Sequence, residues 1–217
     1  AVTITTNSQL NILTAANHDL ASCTLSNFGT VLWAAGNLRG GVNPGSFVQN
    51  FGLWDCQCDQ IFNNDLGGNG WVFNNRGTFR KSASTGSTTV AGSYGAPTFR
   101  STGLVDIQIG SLVLNGGALL TGGSVSGAGL VYLNAGAFTL NGASLGTNVW
   151  QTGGNLAGDN VLDGTCYWNG GVWNGASSVT VPTNRVLSIV SGNNHDLTSC
   201  TVSNLGTVNW TAGNLRG

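Results

Sequence analysis

The chain has 217 residues, seven Lys/Arg against eight acidic residues, a net charge of −1 and 35 glycines. The scarcity of helix formers excludes a helical domain, and glycine without a third-residue period, beside only three prolines, excludes collagen. The missing basic excess argues against nucleic-acid partners, 41% hydrophobic content argues against disorder, and no apolar run reaches the ~18 residues of a membrane span.

Neither a signal peptide nor an initiator Met is visible, which reads as an excised or mature segment. Residues 1–40 recur at 178–217 with a constant offset of 177, and 25 of the 40 positions are identical. The clearest match runs from Asn17-His18-Asp19-Leu20 to Gly40 against Asn194-His195-Asp196-Leu197 to Gly217. Residues 1–217 therefore read as a single domain, with 1–177 one long unit and 178–217 the opening of a second copy. Such an offset predicts a tandem array in the parent protein, with further repeat or catalytic domains attached.

A shorter period lies inside the unit. Asn27-Phe28-Gly29-Thr30-Val31-Leu32-Trp33 returns in weaker form at Asn50–Trp54, Asn75–Phe79, Ser101–Val105, Ala128–Val131, Leu145–Thr147, Gly164–Cys166 and Asn204–Val208. The glycine-to-glycine steps are 23, 25, 26, 26, 17, 18 and 42, the last read as two coils. Short β-branched runs between Gly/Asn turns at this spacing predict an all-β solenoid, a right-handed parallel β-helix of nine to ten coils of about 22 residues. Gly and Asn supply the corners, stacked Asn side chains can form ladders, and coils at ~4.8 Å make a rod of roughly 45 Å.

The pattern Asn-x-Gly-Thr-Val-x-Trp-x-x-Gly at 27–36 and 204–213 resembles the right-handed parallel β-helix repeats of secreted bacterial proteins. That group includes pectin lyases and hydrolases, phage depolymerases, adhesins, and carbohydrate-binding modules attached to xylan-degrading enzymes. The resemblance implies export to the extracellular space or the cell surface, and a polysaccharide partner.

Positions counted from each repeat glycine predict which side chains face outward. The third position places Asp55, Arg80 and Asp106 in successive coils, followed by Tyr132 and later Tyr167, on one outer face. The fourth reads Trp33, Cys56, Lys81, Ile107, Leu133, Trp150, Trp168 and Trp210. A lysine is costly in an apolar core, so the chain is expected to bend there and leave tryptophans of this column partly exposed. The charges around Asp55, Arg80 and Asp106 read either as an ion ladder between coils or as a sugar-binding or catalytic face. Asp55 and Asp106, two coils or ~9.6 Å apart, approach the ~6.5–9.5 Å of inverting glycosidases. Arg80 between them stabilises both anions, the reverse of what a general acid requires, so the chain is read as no enzyme.

The same reasoning sets other candidates aside. His18-Asp19 with Ser22 is read as turn hydrogen bonding rather than a triad, because adjacent strand residues point apart. Cys56-Gln57-Cys58 lacks the second pair of a zinc site. The oxygen-rich run from Asp55 through Asp59 to Asp65 is a calcium hint without the Asp-x-Asp-x-Asp-Gly loop; no other cofactor is expected. The odd cysteine count leaves at least one of Cys23, Cys56, Cys58, Cys166 and Cys200 unpaired, with a Cys23 bridge to Cys56 or Cys58 left open. Trp150, Trp168 and Trp173 with Tyr132 and Tyr167 crowd one end of the unit beside Asn-rich coils. Aromatic rings and amides are what pyranose binding uses. The expected function is a non-catalytic module for a xylan-like plant polysaccharide, at Asp55, Arg80, Asp106, Tyr132, Trp150, Tyr167, Trp168 and Trp173. The alternatives are a structural or adhesive repeat of a large surface protein and a β-helical lyase or hydrolase. Apolar coil faces at the ends predict end-to-end association.

Overall fold

A computed structural model describes residues 1–91 and 98–217. Short strands wind into a parallel β-solenoid of about ten coils, with no helix among the described residues. Each of the first six coils has three faces. The first carries Val2–Ile4, Thr24–Asn27, Ser46–Asn50, Trp71–Asn75, Phe99–Ser101 and Ala118–Leu120. The second carries Gln9–Ile12, Thr30–Trp33, Leu53–Cys56, Thr78–Lys81, Leu104–Ile107 and Ser124–Ser126. The third carries His18–Ala21, Leu38–Gly41, Ile61–Asn63, Ser87–Ala91, Ser111–Asn115 and Leu130–Leu133. The strands are too short to be stable alone, so each depends on the coils above and below.

Alternation within each strand sends every second residue inward. Leu25, Val48, Phe73 and Phe99 stack in one inner column and are buried. Phe73 also meets Phe79 edge-on at 5.4 Å. The Asn-x-Gly phrase has two separate causes. Its asparagine builds an internal ladder: Asn27 Nδ2 donates to Asn50 Oδ1 at 2.7 Å, Asn50 Nδ2 to Asn75 Oδ1 at 2.8 Å, and Asn75 Nδ2 to Ser101 Oγ at 3.0 Å. Each amide also donates to a backbone carbonyl of the next coil, at Leu53, Thr78 and Leu104. Its glycine lets corners nest. A Cβ on Gly77 would lie 2.2 Å from the Gly52 carbonyl oxygen, closer than packed atoms allow.

The expected bend at the fourth column is absent. Trp33, Cys56, Lys81 and Ile107 all point inward and are fully buried. Lys81 is accommodated because all three ammonium protons find oxygen. Its Nζ donates to Asp59 Oδ1 at 2.8 Å, Cys58 O at 3.0 Å and Ala83 O at 3.2 Å. Burial pushes the Asp59 carboxyl up, but hydrogen bonds from Lys81, Ser84 and Gly86 outweigh it and hold it below the ordinary carboxylate value.

The coil changes shape in the seventh and eighth turns. The register steps fall to 18 residues from Ala137 to Asn155 and 17 from Asn155 to Val172. That is too little chain for three four-residue strands and three corners. The second face narrows to Ser144 and Gly146 against Asp163 and Gly164, with register shifts on both sides. Meanwhile Asn155–Val161 and Val172–Val181 run on around the old corner and open a new face at 159–161. As a result Leu187, the counterpart of Leu10, stacks on Cys166 and through it on Val149 and Val131, which belong to the third face. The second copy is thus turned by one face relative to the first. The 177-residue unit comprises eight coils plus one face, rather than the eight coils expected from its glycines.

Candidate functional site

Two outward columns carry the predicted site residues, and they lie on different faces. On the second face the register runs Leu32, Asp55, Arg80, Asp106, Ser126. The stacking of Asp55, Arg80 and Asp106 in successive coils is therefore as expected. Tyr132 does not follow them, because Asp106 is succeeded by Ser126. Tyr132 instead opens the third-face column Tyr132, Trp150, Tyr167. The glycine count misassigned it because that count took the glycine before Leu130 as a second-face marker, whereas Leu130–Leu133 belongs to the third face.

The charged column is largely internally satisfied. Arg80 Nε donates to Asp106 Oδ2 at 3.2 Å, Gln108 Nε2 donates to the same oxygen at 2.8 Å, and Ser126 Oγ reaches Oδ1 at 3.4 Å. Asp55 accepts from Gln57 Nε2 at 2.9 Å, while its Oδ1 is buried without a hydrogen bond. The Arg80 guanidinium thus ties two neighbouring coils through Asp106, while Asp55 bonds only Gln57 of its own coil. Similar pairs recur elsewhere on the rod. Arg39 grips Asp19 through two nitrogens at 2.7 and 2.9 Å, and the copies Arg216 and Asp196 do so at 2.7 and 3.0 Å.

The aromatic column is different in kind. Tyr132, Trp150 and Tyr167 are each half-buried on the third face. The Trp150 and Tyr167 rings stack at 4.2 Å with 11° between planes. The column presents three aromatic side chains in register, one per coil or about 4.8 Å. A line of polar side chains runs beside it, which the sequence reading did not name. Asn134 Nδ2 donates to Asn115 Oδ1 at 2.6 Å, Thr152 Oγ1 bonds Asn134 Oδ1 at 3.0 Å, and Asn193 Nδ2 donates to Asn169 O at 3.1 Å. The signal for it was present: Asn115 ends one strand, and Asn134 and Asn169 each directly follow one.

Trp168 and Trp173 do not belong to this surface. Both are fully buried and stack on each other at 3.8 Å with 5° between planes. Trp173 Nε1 donates to Gln151 Oε1 at 2.7 Å, and Trp168 Nε1 to Gly171 O at 3.3 Å. Trp168 faces inward because alternation places Tyr167 outside and its neighbour inside. Of the fourth-column tryptophans expected to be partly exposed, Trp33 is instead fully buried in the core, whereas Trp210, in the last coil, is exposed. A second outward stack was also missed: Phe28 and Phe51 lie parallel at 4.8 Å, with Arg76 over the Phe51 ring at 5.5 Å. It was legible as the phrase Asn-Phe-Gly repeated at 27–29 and 50–52.

His18 Nε2 lies 3.1 Å from Thr14 O, a turn contact. All five cysteines are free. Burial pushes the Cys166 thiol up to about 12 and Cys56 well above its ordinary value. Among the described residues, no three His, Cys, Asp or Glu side chains converge as a metal site, and no helix is long and apolar enough to cross a membrane. No family model matches the chain, and no curated protein or solved structure matches it significantly.

Proposed function

We propose that the chain is a non-catalytic polysaccharide-binding rod, with a xylan-like plant cell-wall glycan as ligand. The observation that carries the reading is the ridge of Tyr132, Trp150 and Tyr167, in register on three successive coils and flanked by the Asn115–Asn134–Thr152 line. Aromatic rings and the C–H faces of sugar rings bury apolar surface together, while amides and phenols meet the hydroxyls. A linear glycan lying along the rod would meet one aromatic per coil. Asp55, Arg80 and Asp106 lie on the neighbouring face, and in this reading Arg80 and Asp106 act as an inter-coil ion pair rather than as sugar ligands. Affinity electrophoresis on xylan, pectin, β-glucan and mannan tests the proposal. Xylan should retard the chain, and Trp150→Ala should abolish the retardation while leaving the far-UV spectrum unchanged. Absence of retardation on all four glycans overturns it.

A second reading is a structural or adhesive repeat of a secreted surface protein. The copying of inter-coil clamps favours it: the Asp19–Arg39 pair is reproduced at Asp196–Arg216 with the same bidentate geometry. This reading gives no glycan retardation, and equal stability loss from Arg39→Ala in the presence and absence of sugar.

A further inference from the structure

Beneath the first coil lies an apolar groove of about 530 Å³, bordered by Leu10, Ile12, Leu20, Leu25 and Leu38. Val2 and Leu13 beside it are 48% and 61% exposed. The repeat supplies the counterpart of every one of these positions. At an offset of 177 they become Leu187, Ile189, Leu197, Val202 and Leu215. Those five residues border a second, smaller cavity of about 110 Å³, whose lining is completed by Trp168, Trp173 and Val208. The histidine tracks the difference. His195 is fully buried, with its ring edge-on to Trp168 at 4.6 Å, whereas its copy His18 is partly exposed.

From this pair of grooves, one filled and one open, we infer that the first is the receiving half of a unit-to-unit junction. Its occupant is a second copy of the coil formed by residues 155–177. The filled groove shows how that coil seats. Asp159–Val161 pair with the strand copied from Val2–Ile4, Thr165–Trp168 with the strand copied from Gln9–Ile12, and Val172 with Asp196, the copy of Asp19. The backbone edges and the indole pair therefore engage together, as strand addition with side-chain pockets. The junction also fixes an angle. Because the second copy is turned by one face, joined units advance about a third of a revolution each, and the ridge of Tyr132, Trp150 and Tyr167 reappears on the next face of the rod.

The test joins residues 137–177 directly ahead of Ala1 in the full chain and follows amide exchange by mass spectrometry. Exchange at Leu10, Ile12 and Leu20 should slow by about tenfold or more, toward that of Leu187, Ile189 and Leu197. Binding of the apolar dye ANS should fall. The same extension carrying both Trp→Ala changes should leave exchange and dye binding as in the parent chain. In the unextended chain, Trp168→Ala with Trp173→Ala should speed exchange at Leu187 and Ile189 while leaving Leu10 and Ile12 unchanged. Unaltered exchange at Leu10 and Ile12 in the extended chain, or failure of that chain to fold, overturns the inference.

Discussion

Replacing Asn50 with alanine interrupts the internal ladder at its centre. Asn50 accepts one hydrogen bond from Asn27 and donates two, to Asn75 Oδ1 and Thr78 O, at zero exposure. Three net hydrogen bonds at about 1 kcal/mol each, with the Asn75 oxygen left unpaired in the core, give a loss of about 3–4 kcal/mol. A small added cavity acts in the same direction. Asn50→Ser should lose about half as much, since a hydroxyl can still accept from Asn27, as Ser101 accepts from Asn75. Guanidinium unfolding followed by tryptophan fluorescence gives the free energy. Amide exchange at 53–56 and 78–81 reports whether the loss is local, because a solenoid can open in sections. A loss below about 1 kcal/mol for Asn50→Ala would refute the view that the ladder, rather than generic burial, holds these coils in register.

Three further outcomes follow from the same geometry. Gly77→Ala forces a methyl onto the Gly52 carbonyl oxygen at 2.2 Å, so the corner must shift; thermal denaturation should show a loss of about 1–3 kcal/mol, the usual cost of overpacking. Asp59 has its carboxyl held below the ordinary value in the folded chain, as do Asp19 and Asp196 through hydrogen bonds from Arg39 and Arg216. Their contribution is complete above the unfolded Asp value of about 3.9 and is lost as pH falls through the lower folded values. The melting temperature should therefore drop below about pH 4, and less steeply in Asp59→Asn, whose ground-state stability is already reduced. Cys56, Cys58 and Cys166 are buried while Cys23 and Cys200 are partly exposed. A thiol reagent at pH 8 should label Cys23 first, then Cys200, whose thiol burial pushes up, and the other three only on unfolding.

The sequence by itself determined the architecture. Glycine spacing, alternating β-branched residues and the Asn-x-Gly phrase require a stacked coil, since these asparagines and glycines are satisfied only against copies of themselves one coil away. It also determined the neighbours Asp55, Arg80 and Asp106, because the coils there have near-constant length. Only the tertiary structure decided which columns continue. Once coils shorten to 17 and 18 residues, one face closes and another opens, so counting from a glycine no longer identifies the face. That is why Tyr132 moved to the aromatic ridge and why the second copy is turned. The direction of Trp168 and Trp173 and the comfort of Lys81 were hidden for a related reason. A side chain's environment in a solenoid is supplied by residues about twenty positions away, and Asp59 and His195 come within reach only when the chain has wound back onto itself.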